Sequence, residues 1–398
     1  MNSFIKFCDG EFNAMFGKVG TNCDNQPYSK QLGKDLLQAY KYLAPKLPIS
    51  DWIIGATHYE YYNNVRDLGF PTHTLPNRTY LHQTNNLVEV QSKYKQLAAT
   101  GPILWVGPKR LRGISCLIPY KKYVDVPLLD AYKSFPSILA EVVNNLQPVV
   151  VFTCGYISCL LAYHIHRIAP DTTLIDVGSG VDNLLIGKTR RNQVDRVSAQ
   201  KLYPCSFPPV PDFSDEIPGW YNFRDLYSEM VNKSPNGHFV EVGTWMGKSA
   251  ASLCALGPNI KLDCIDHFQG SPKERKKTHK DRNVYGKCRN FLRPFWCTTR
   301  NKKCHTRRDN QLRILKTTSR EGARRYANKS LDFVFIDADH TYAAVKDDIR
   351  CWLPKIKPGG VLAGHDYQSK SFPGVTKAVN QLLPSARKIS SNCWIYHG

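Results

Sequence analysis

The segment HFVEVGTWMG, from His238 to Gly247, constrains the fold of this chain more than any other. Its apolar run is typical of a buried parallel strand, and the residues that follow have the spacing of an amphipathic helix. Gly243 and Gly247 let the backbone turn tightly and let a ligand lie against it. A second apolar run, KLDCID, ends in Asp266, where a carboxylate can accept hydrogen bonds from both hydroxyls of a ribose. The pattern predicts a doubly wound α/β domain that binds a nucleoside.

Two later segments place more acids at strand ends. LDFVFIDADHTY contains Asp337 and Asp339, which would share one side of an extended strand, and GGVLAGHDY ends in His365 and Asp366. The carboxyl ends of parallel strands converge where doubly wound sheets bind ligands. These polar side chains could merely cap strand ends, but four acids on three successive strands favour a functional site.

From about Trp220 to Gly398 the sequence resembles the class I S-adenosylmethionine-dependent methyltransferases. The resemblance is to the branch in which IDADHxY and GGHDY-like segments accompany metal-assisted sugar O-methylation. It implies that the cofactor is held by four residues: Glu241, Gly243, Gly247 and Asp266.

The same resemblance implies a divalent metal ion bound by Asp337, His365 and Asp366, with Asp339 as the general base. A sugar hydroxyl is a weak nucleophile at neutral pH. An ion that lowers its pKa and a carboxylate that accepts its proton therefore suit this reaction. Hard oxygen ligands favour Mg²⁺ or Mn²⁺.

Length and composition limit the remaining possibilities. At 398 residues the chain is long enough for two or three domains. It has no uninterrupted run of about 18 apolar residues, and Lys6, Asp9 and Glu11 lie where a signal peptide would be apolar. The sequence therefore predicts a soluble cytoplasmic protein with no membrane span, in the host cytoplasm if the source is a virus. Its 13 scattered cysteines indicate reduced thiols.

The chain is basic, with a net charge of +21, which implies an anionic partner. Much of the excess lies in residues 271–313, a basic insertion within the methyltransferase-like region, where related enzymes place a lid or an acceptor-binding segment. The insertion could equally be a solvated loop. A zinc site built from Cys288, Cys297, Cys304 and His305 is disfavoured because their spacing lacks a CxxC pair.

Residues 203–217 are rich in proline and lack apolar periodicity, so the sequence predicts an extended linker there. The predicted domains are 1–202 and 218–398. In the first, the apolar runs FIKFC, DWIIGA, PILWVG, PVVVFTC and TLIDVG alternate with helical patterns. This alternation predicts a second doubly wound, Rossmann-like domain with a mainly parallel sheet.

The first run leads into FCDGEF, which places Asp9 and Glu11 two residues apart. In an extended segment both carboxylates would lie on one face and could bind one metal ion. A glycosyltransferase that uses a nucleotide sugar needs such an ion, because the diphosphate leaving group carries charge. The triplet DGE is also common in turns, so the pattern alone leaves both interpretations open.

The order of segments in the first half is similar to that of the GT-D type glycosyltransferases. An aspartate, a glycine and a further aspartate of that family match Asp176, Gly178 and Asp182. The resemblance implies that Asp9 and Glu11 bind the metal ion of a nucleotide-sugar diphosphate. Relatives usually carry arginine and glycine before the DGE, where this chain has Lys6 and Cys8.

These observations predict a bifunctional glycan-assembly enzyme with a nucleotide-sugar donor and a glycan acceptor. Such fusions resemble glycan-building enzymes of large DNA viruses, or of microbes that make surface polysaccharide. One alternative is an RNA cap-type methyltransferase, but the acid-rich site suits a metal ion better than nucleic acid, which makes nucleic acid an unlikely partner. Another is a sugar methyltransferase whose first domain only binds glycan; the intact Asp9 and Glu11 count against it.

Overall fold

The computed structural model describes residues 3–21, 26–47, 49–51, 92, 95–178, 180–185, 210–270, 283–295 and 312–398. They divide into two compact units, Met1–Pro211 and Asp212–Gly398. The division lies within the segment that the sequence predicts to be a linker. Each unit contains a mainly parallel sheet with helices, which confirms the predicted α/β fold class.

The sheet of unit 1 is parallel throughout its described strands. They are β1 (Ile5–Phe7), β2 (Ile49–Asp51), β3 (Ile103–Gly107), β4 (Lys122–Asp125), β5 (Val149–Phe152) and β6 (Thr173–Asp176). The strand order is β4-β3-β5-β6, and β1 pairs with β2. Phe4 joins the two groups, because its N–H donates to the Leu174 carbonyl at 2.7 Å and its carbonyl accepts from the Asp176 N–H at 2.8 Å. The carboxyl ends of β1 and β6 therefore lie side by side.

Helices flank this sheet, and alternate strand residues bury against them. The helices are α1 (Asp9–Met15), α2 (Lys30–Leu43), α3 (Phe135–Asn144), α4 (Tyr156–Ile168) and α5 (Asp182–Leu185), with a 3₁₀ helix at Lys109–Cys116. Along β3, Leu104 and Val106 belong to one core with α2 and α4, while Ile103 and Trp105 belong to another with the 3₁₀ helix. Two-sided burial is why these strands read as continuous apolar runs.

The DGE triplet does not have the extended conformation that its spacing suggested. Helix α1 begins at Asp9, and the Cys8 N–H donates to Glu11 Oε2 at 2.8 Å in a capping box. Residues i and i+2 of a helix do not face each other. The expectation that Asp9 and Glu11 share one face of an extended segment is therefore wrong.

Unit 2 contains a seven-stranded sheet in the order β12-β13-β11-β10-β7-β8-β9. Its strands are β7 (His238–Val242), β8 (Lys261–Asp266), β9 (Leu312–Lys316), β10 (Leu331–Ile336), β11 (Ile356–Gly364), β12 (Arg387–Lys388) and β13 (Trp394–His397). Strands β7 to β11 are parallel, and β12 and β13 are antiparallel additions at one edge. From β7 the chain builds towards one edge and from β10 towards the other. Doubly wound sheets bind ligands at such a reversal point.

Helices cover both faces of this sheet. They are α6 (Arg224–Lys233), α7 (Lys248–Leu256), α8 (Val284–Leu292), α9 (Ser319–Ala323), α10 (Tyr342–Trp352) and α11 (Pro373–Leu382). Along β10, Val334 and Ile336 share a core with α10 and α11, whereas Phe333 and Phe335 contact the ring of Tyr227 on α6. The alternation follows from the two-residue period of a strand.

The predicted linker is shorter at its C-terminal end than the sequence suggested. Phe213 and Ile217 are fully buried in unit 2, and the Phe213 ring stacks on Phe295 with centroids 5.8 Å apart. A 3₁₀ helix, Ser214–Glu216, lies between them. Residues 212–217 therefore belong to the second unit. A bilayer-spanning helix does not occur in the part of the chain that the structure describes.

A buried carboxylate joins three elements of unit 2. Asp263, in β8, is 0% exposed and accepts two hydrogen bonds from the Arg313 guanidinium, both at 2.8 Å. The Tyr326 hydroxyl donates to it at 2.7 Å, and His238 Nε2 lies 2.7 Å away. Burial by itself raises the pKa of Asp263, but the hydrogen bonds of His238, Arg313 and Tyr326 lower it to about 2.

We expect Asp263→Asn to destabilise unit 2 by about 3 kcal/mol at neutral pH, because it breaks a buried ion pair but leaves a half-exposed arginine that water can solvate. The folded pKa lies below the unfolded value of about 3.9, so the stabilisation is complete above that pH and disappears as the pH falls towards 2. Calorimetric unfolding of the full chain between pH 7 and pH 3 measures both effects. Asp130→Asn, which removes an exposed ion pair with Lys133, is the control. A variant as stable as wild type at pH 7 would contradict the prediction.

Candidate functional site

The glycine turn after β7 is shaped by the neighbouring strand. Gly243 has a φ of +94°, and a Cβ there would lie 1.9 Å from the carbonyl oxygen of Asp337. Gly247 has a φ of +88° and precedes α7; a Cβ there would lie 2.7 Å from Leu292 Cδ1. The sequence suggested that glycine makes room for a ligand. In the structure both glycines are already required by the close approach of protein atoms.

Asp266, at the end of β8, fastens this turn. Its Oδ2 accepts from the Trp245 N–H at 2.8 Å, and its Oδ1 accepts from the Phe268 N–H at 2.5 Å. Trp245 and Phe268 both have positive φ angles, of 47° and 58°. Such backbone conformations cost energy in residues with side chains, and hydrogen bonds to a carboxylate help to hold them. Asp266 therefore lies against the glycine turn, where the sequence analysis placed it.

Glu241 is a buried residue of β7, two positions before Gly243. The side chain is 1% exposed, and its Oε2 accepts from the Tyr227 hydroxyl at 2.7 Å. Burial raises the pKa of Glu241 to about 7, although the hydroxyl of Tyr227 lowers it. Glu241 is therefore a buried carboxyl group near the end of β7, held by the hydroxyl of Tyr227.

Four side chains meet beyond the carboxyl ends of β10 and β11, and we call Asp337, His340, His365 and Asp366 the acid–histidine cluster. His340 Nε2 lies 3.2 Å from Asp337 Oδ1 and 3.0 Å from Asp366 Oδ2. His365 Nδ1 lies 3.5 Å from Asp366 Oδ2 and 3.9 Å from Asp337 Oδ2. The His340 ring stacks on Phe372 with centroids 4.2 Å apart, which fixes its orientation.

The two carboxylates of this cluster lie close together because the neighbouring histidines compensate their negative charge. Burial lowers the pKa of His340, but its hydrogen bonds to Asp337 and Asp366 and their charges raise it to about 10. Burial likewise raises the pKa of Asp366, yet hydrogen bonds from His340 and His365 hold it well below its usual range. The cluster is therefore an imidazolium held between two carboxylates, a charge arrangement that a metal ion can replace when the histidine loses its proton.

Among the described residues, the group whose geometry fits a metal ion is Asp337, His340 and Asp366, with ligand atoms all within 4.8 Å of one another. Two carboxylates and an imidazole suit a divalent ion such as Mn²⁺ or Mg²⁺. His365, the histidine named from the sequence, is outside this group although it lies beside it. The residue that the sequence analysis missed is His340. The feature of the sequence that could have indicated His340 as a ligand is its position three residues after Asp337.

Asp339 takes a different position from the one its spacing suggested. Strand β10 ends at Ile336, so Asp337 and Asp339 lie in a loop and do not share one side of a strand. Asp339 Oδ1 accepts from the Thr341 N–H at 2.8 Å, next to the start of α10. The side chain is half-buried and keeps a second oxygen that this hydrogen bond does not use.

Unit 1 gathers buried charges at the carboxyl ends of β1 and β6: Lys6, Glu11, Asp176 and Asp182. Asp176 Oδ1 accepts from the Gly178 N–H at 2.8 Å, and a Cβ at Gly178 would lie 3.1 Å from Lys6 Nζ. Burial raises the pKa of Asp176 to about 6, while the charge of Lys6 lowers it. The Asp9 side chain lies outside the described part of the chain.

Residues 240–367 match the model of a methyltransferase domain. Unit 2 therefore carries a methyltransferase domain, and the match extends from β7 past the end of β11. A comparison with curated protein sequences gives no match.

Three solved structures illustrate the structural comparisons. The calicheamicin methyltransferase CalS11 is 16% identical, with a TM-score of 0.35 over 44% of this chain and 76% of that one. The MycE methyltransferase of the mycinamycin biosynthetic pathway is also 16% identical, with a TM-score of 0.31 over 51% and 59%. A domain of unknown function 1792 is 16% identical, with a TM-score of 0.36 over 52% and 86%.

Proposed function

We propose that unit 2 transfers a methyl group from S-adenosylmethionine to a sugar hydroxyl, assisted by a divalent metal ion. The methyltransferase-domain match supports the cofactor. The observation that carries the metal-assisted reaction is the convergence of Asp337, His340 and Asp366 beyond the carboxyl ends of β10 and β11, next to the reversal point between β7 and β10. O-methylation needs such a site more than methylation of an amine does, because a hydroxyl must lose its proton to become a good nucleophile.

The residues proposed to bind the cofactor are the glycine turn, the carboxylate of Asp266 and the buried carboxyl group of Glu241. Asp266 would accept hydrogen bonds from the ribose hydroxyls, next to the backbone amides that it already holds. The turn from Gly243 to Gly247 would lie against the rest of the cofactor, with the buried Glu241 two positions before it. The cofactor and the acid–histidine cluster would then meet at the ends of the neighbouring strands β7 and β10.

On the acceptor side, Asp337, His340 and Asp366 would hold Mg²⁺ or Mn²⁺, with His365 beside them. When bound, the ion supplies positive charge that lowers the pKa of the acceptor hydroxyl. Asp339, in the loop between Asp337 and α10, is our candidate for the carboxylate that accepts the hydroxyl proton. Its hydrogen bond to the Thr341 N–H would orient it for this role.

The cofactor assignment is tested by Asp266→Ala. We expect S-adenosylmethionine to bind the full-length variant more weakly by about 1.5–3 kcal/mol, or roughly 10- to 150-fold, because hydrogen bonds to a charged group are lost. Isothermal titration of wild type and variant measures the change. Asp225→Ala, which removes an exposed carboxylate of α6 in the same unit, should leave the affinity unchanged. Equal affinities in a folded Asp266→Ala protein would remove Asp266 from the cofactor site.

For unit 1 we infer metal-dependent transfer of a sugar from a nucleotide-sugar donor, which would make the chain a bifunctional glycan-assembly enzyme. The supporting observation is that Lys6, Glu11 and Asp176 are buried at the neighbouring carboxyl ends of β1 and β6. Buried titratable groups with shifted pKa values cluster at functional sites, and burial raises the pKa of Asp176. Asp9 and Glu11 would contribute to the metal site, and Lys6 would take the position of the arginine found in the GT-D type enzymes.

A further inference from the structure

One segment of unit 2, residues 212–223, is held by hydrogen bonds and buried side chains near both of its ends and in its middle. We call it the anchored segment. Its contacts are Ser252 Oγ to Asp212 Oδ2 at 2.9 Å, Lys248 Nζ to the Ile217 carbonyl at 3.0 Å, and Ser391 Oγ to the Asn222 carbonyl at 2.6 Å. Phe213, Ile217 and Phe223 are buried. The backbone is therefore held in place on both sides of Trp220.

The anchored segment joins the two parts of the candidate site. Gly219 packs against the ring of Trp245 in the glycine turn, since a Cβ at Gly219 would lie 3.0 Å from Trp245 Cζ3. At the other end, the Phe223 ring lies 5.2 Å from the ring of His365 in the acid–histidine cluster. Trp220 lies in the chain between these two contacts.

Trp220 itself is 87% exposed. Among the large apolar side chains in the described part of unit 2, Trp220 is the one that is mostly exposed to solvent. A side chain of this size usually buries much of its surface. An exposed tryptophan on a rigid backbone loses little conformational freedom when a ligand covers it, which makes it an efficient contact residue.

We propose that Trp220 recognises the acceptor by stacking its indole on one face of the sugar ring that receives the methyl group. This inference rests on the proposed sugar O-methylation by unit 2. A pyranose ring presents a face of polarised C–H groups, which complements the negative face of an aromatic ring. Trp220 thereby determines acceptor specificity and takes no part in cofactor binding or proton transfer.

The kinetic test uses the full-length protein with S-adenosylmethionine and Mg²⁺. The acceptors are methyl glycosides of common hexoses and deoxyhexoses, with catechol as an aromatic acceptor, and the product measured is S-adenosylhomocysteine. We expect Trp220→Ala to raise the KM for the accepted sugar by about 10- to 100-fold, by analogy with ring stacking in other sites, and to leave kcat within about threefold. Trp220→Phe should recover most of the loss. Ile168→Ala, which truncates an exposed apolar side chain of unit 1, should have no effect.

A second readout does not depend on turnover. Sugar added to wild type should shift the fluorescence of an exposed tryptophan, and Trp220→Phe should abolish that shift while its affinity for S-adenosylmethionine stays unchanged. Equal KM values in wild type and Trp220→Ala, a stronger effect on catechol than on sugars, or emission that no sugar alters would each overturn the proposal. Failure of wild type to bind S-adenosylmethionine, with the fluorescence shift intact, would instead refute the proposed methyl transfer.

Discussion

Replacement of Asp337 by alanine is expected to reduce methyl transfer by about 10³-fold or more while S-adenosylmethionine still binds. Asp337 contributes one of the two carboxylates of the group that fits a metal ion, and its loss leaves His340 with Asp366 alone. Without the ion, the acceptor hydroxyl keeps its usual pKa and stays a poor nucleophile. Release of S-adenosylhomocysteine measures the rate, and isothermal titration measures cofactor binding.

Chelation and metal replacement make this test specific. Excess chelator should silence the wild type, and added Mg²⁺ or Mn²⁺ should restore it but should not restore Asp337→Ala or the isosteric Asp337→Asn. Asp339→Asn should still bind Mn²⁺, seen by its paramagnetic signal, and should lose about 10²–10⁴-fold in rate, as expected for a general base. Asp347→Ala, an exposed acid of α10 paired with Arg320, is the control. Full methyl transfer in excess chelator would rule out the metal mechanism.

The two histidines of the cluster give a further comparison within the same experiment. The sequence resemblance names His365 as the metal-binding histidine, whereas the geometry places His340 between the two carboxylates. Mn²⁺ affinity should accordingly fall more in His340→Ala than in His365→Ala. The reverse order would favour the interpretation drawn from the sequence.

The sequence predicted the central strands of both sheets well and the edges poorly. Strands such as β3, β5 and β7 are covered on both faces, so they appear as continuous apolar runs between turn residues. Strand β9, LRILK, lies at an edge and alternates buried Leu312 with exposed Arg313. The predicted basic insertion, residues 271–313, includes the first two residues of this strand, Leu312 and Arg313. In fact Arg313 is the partner of buried Asp263, a contact that depends on pairing between β8 and β9.

The positions of the candidate site residues were predicted best where a strand end fixes them. Asp266 is the last residue of β8, and Gly243 is the first residue after β7. Asp339 and Glu11 were harder, because the spacing rules used for them assume an extended chain. In each case the start of a helix intervenes: Glu11 accepts a hydrogen bond from the Cys8 N–H in the capping box of α1, and Asp339 accepts one from the N–H of Thr341, the N-cap of α10. Local spacing does not reveal where a strand ends and a cap begins, since that depends on what the next helix packs against.

The capping role of Glu11 also determines how the glycosyltransferase proposal is best tested. Alanine at this position would remove the hydrogen bond to the Cys8 N–H and so cost about 1 kcal/mol of stability, apart from any effect on catalysis. Glutamine can still accept that hydrogen bond but carries no charge for a metal ion. The pair Asp9→Asn and Glu11→Gln therefore separates capping from metal binding.

We expect this double variant to lose metal-dependent turnover of nucleotide sugars completely and to methylate a preformed acceptor at the wild-type rate. Asp337→Ala should do the opposite. The two activities should be independent because each unit has its own core and the candidate residues of each site come from one unit alone. Release of nucleoside diphosphate from uridine, guanosine and thymidine diphosphate sugars with Mn²⁺ or Mg²⁺ measures the first activity, with Glu141→Gln, an exposed acid of α3, as the control. If wild type and the double variant bind nucleotides equally well with and without metal, Asp9 and Glu11 hold no ion. The glycosyltransferase proposal for unit 1 would then fail, and the alternative in which unit 1 only binds glycan for the methyltransferase would stay open.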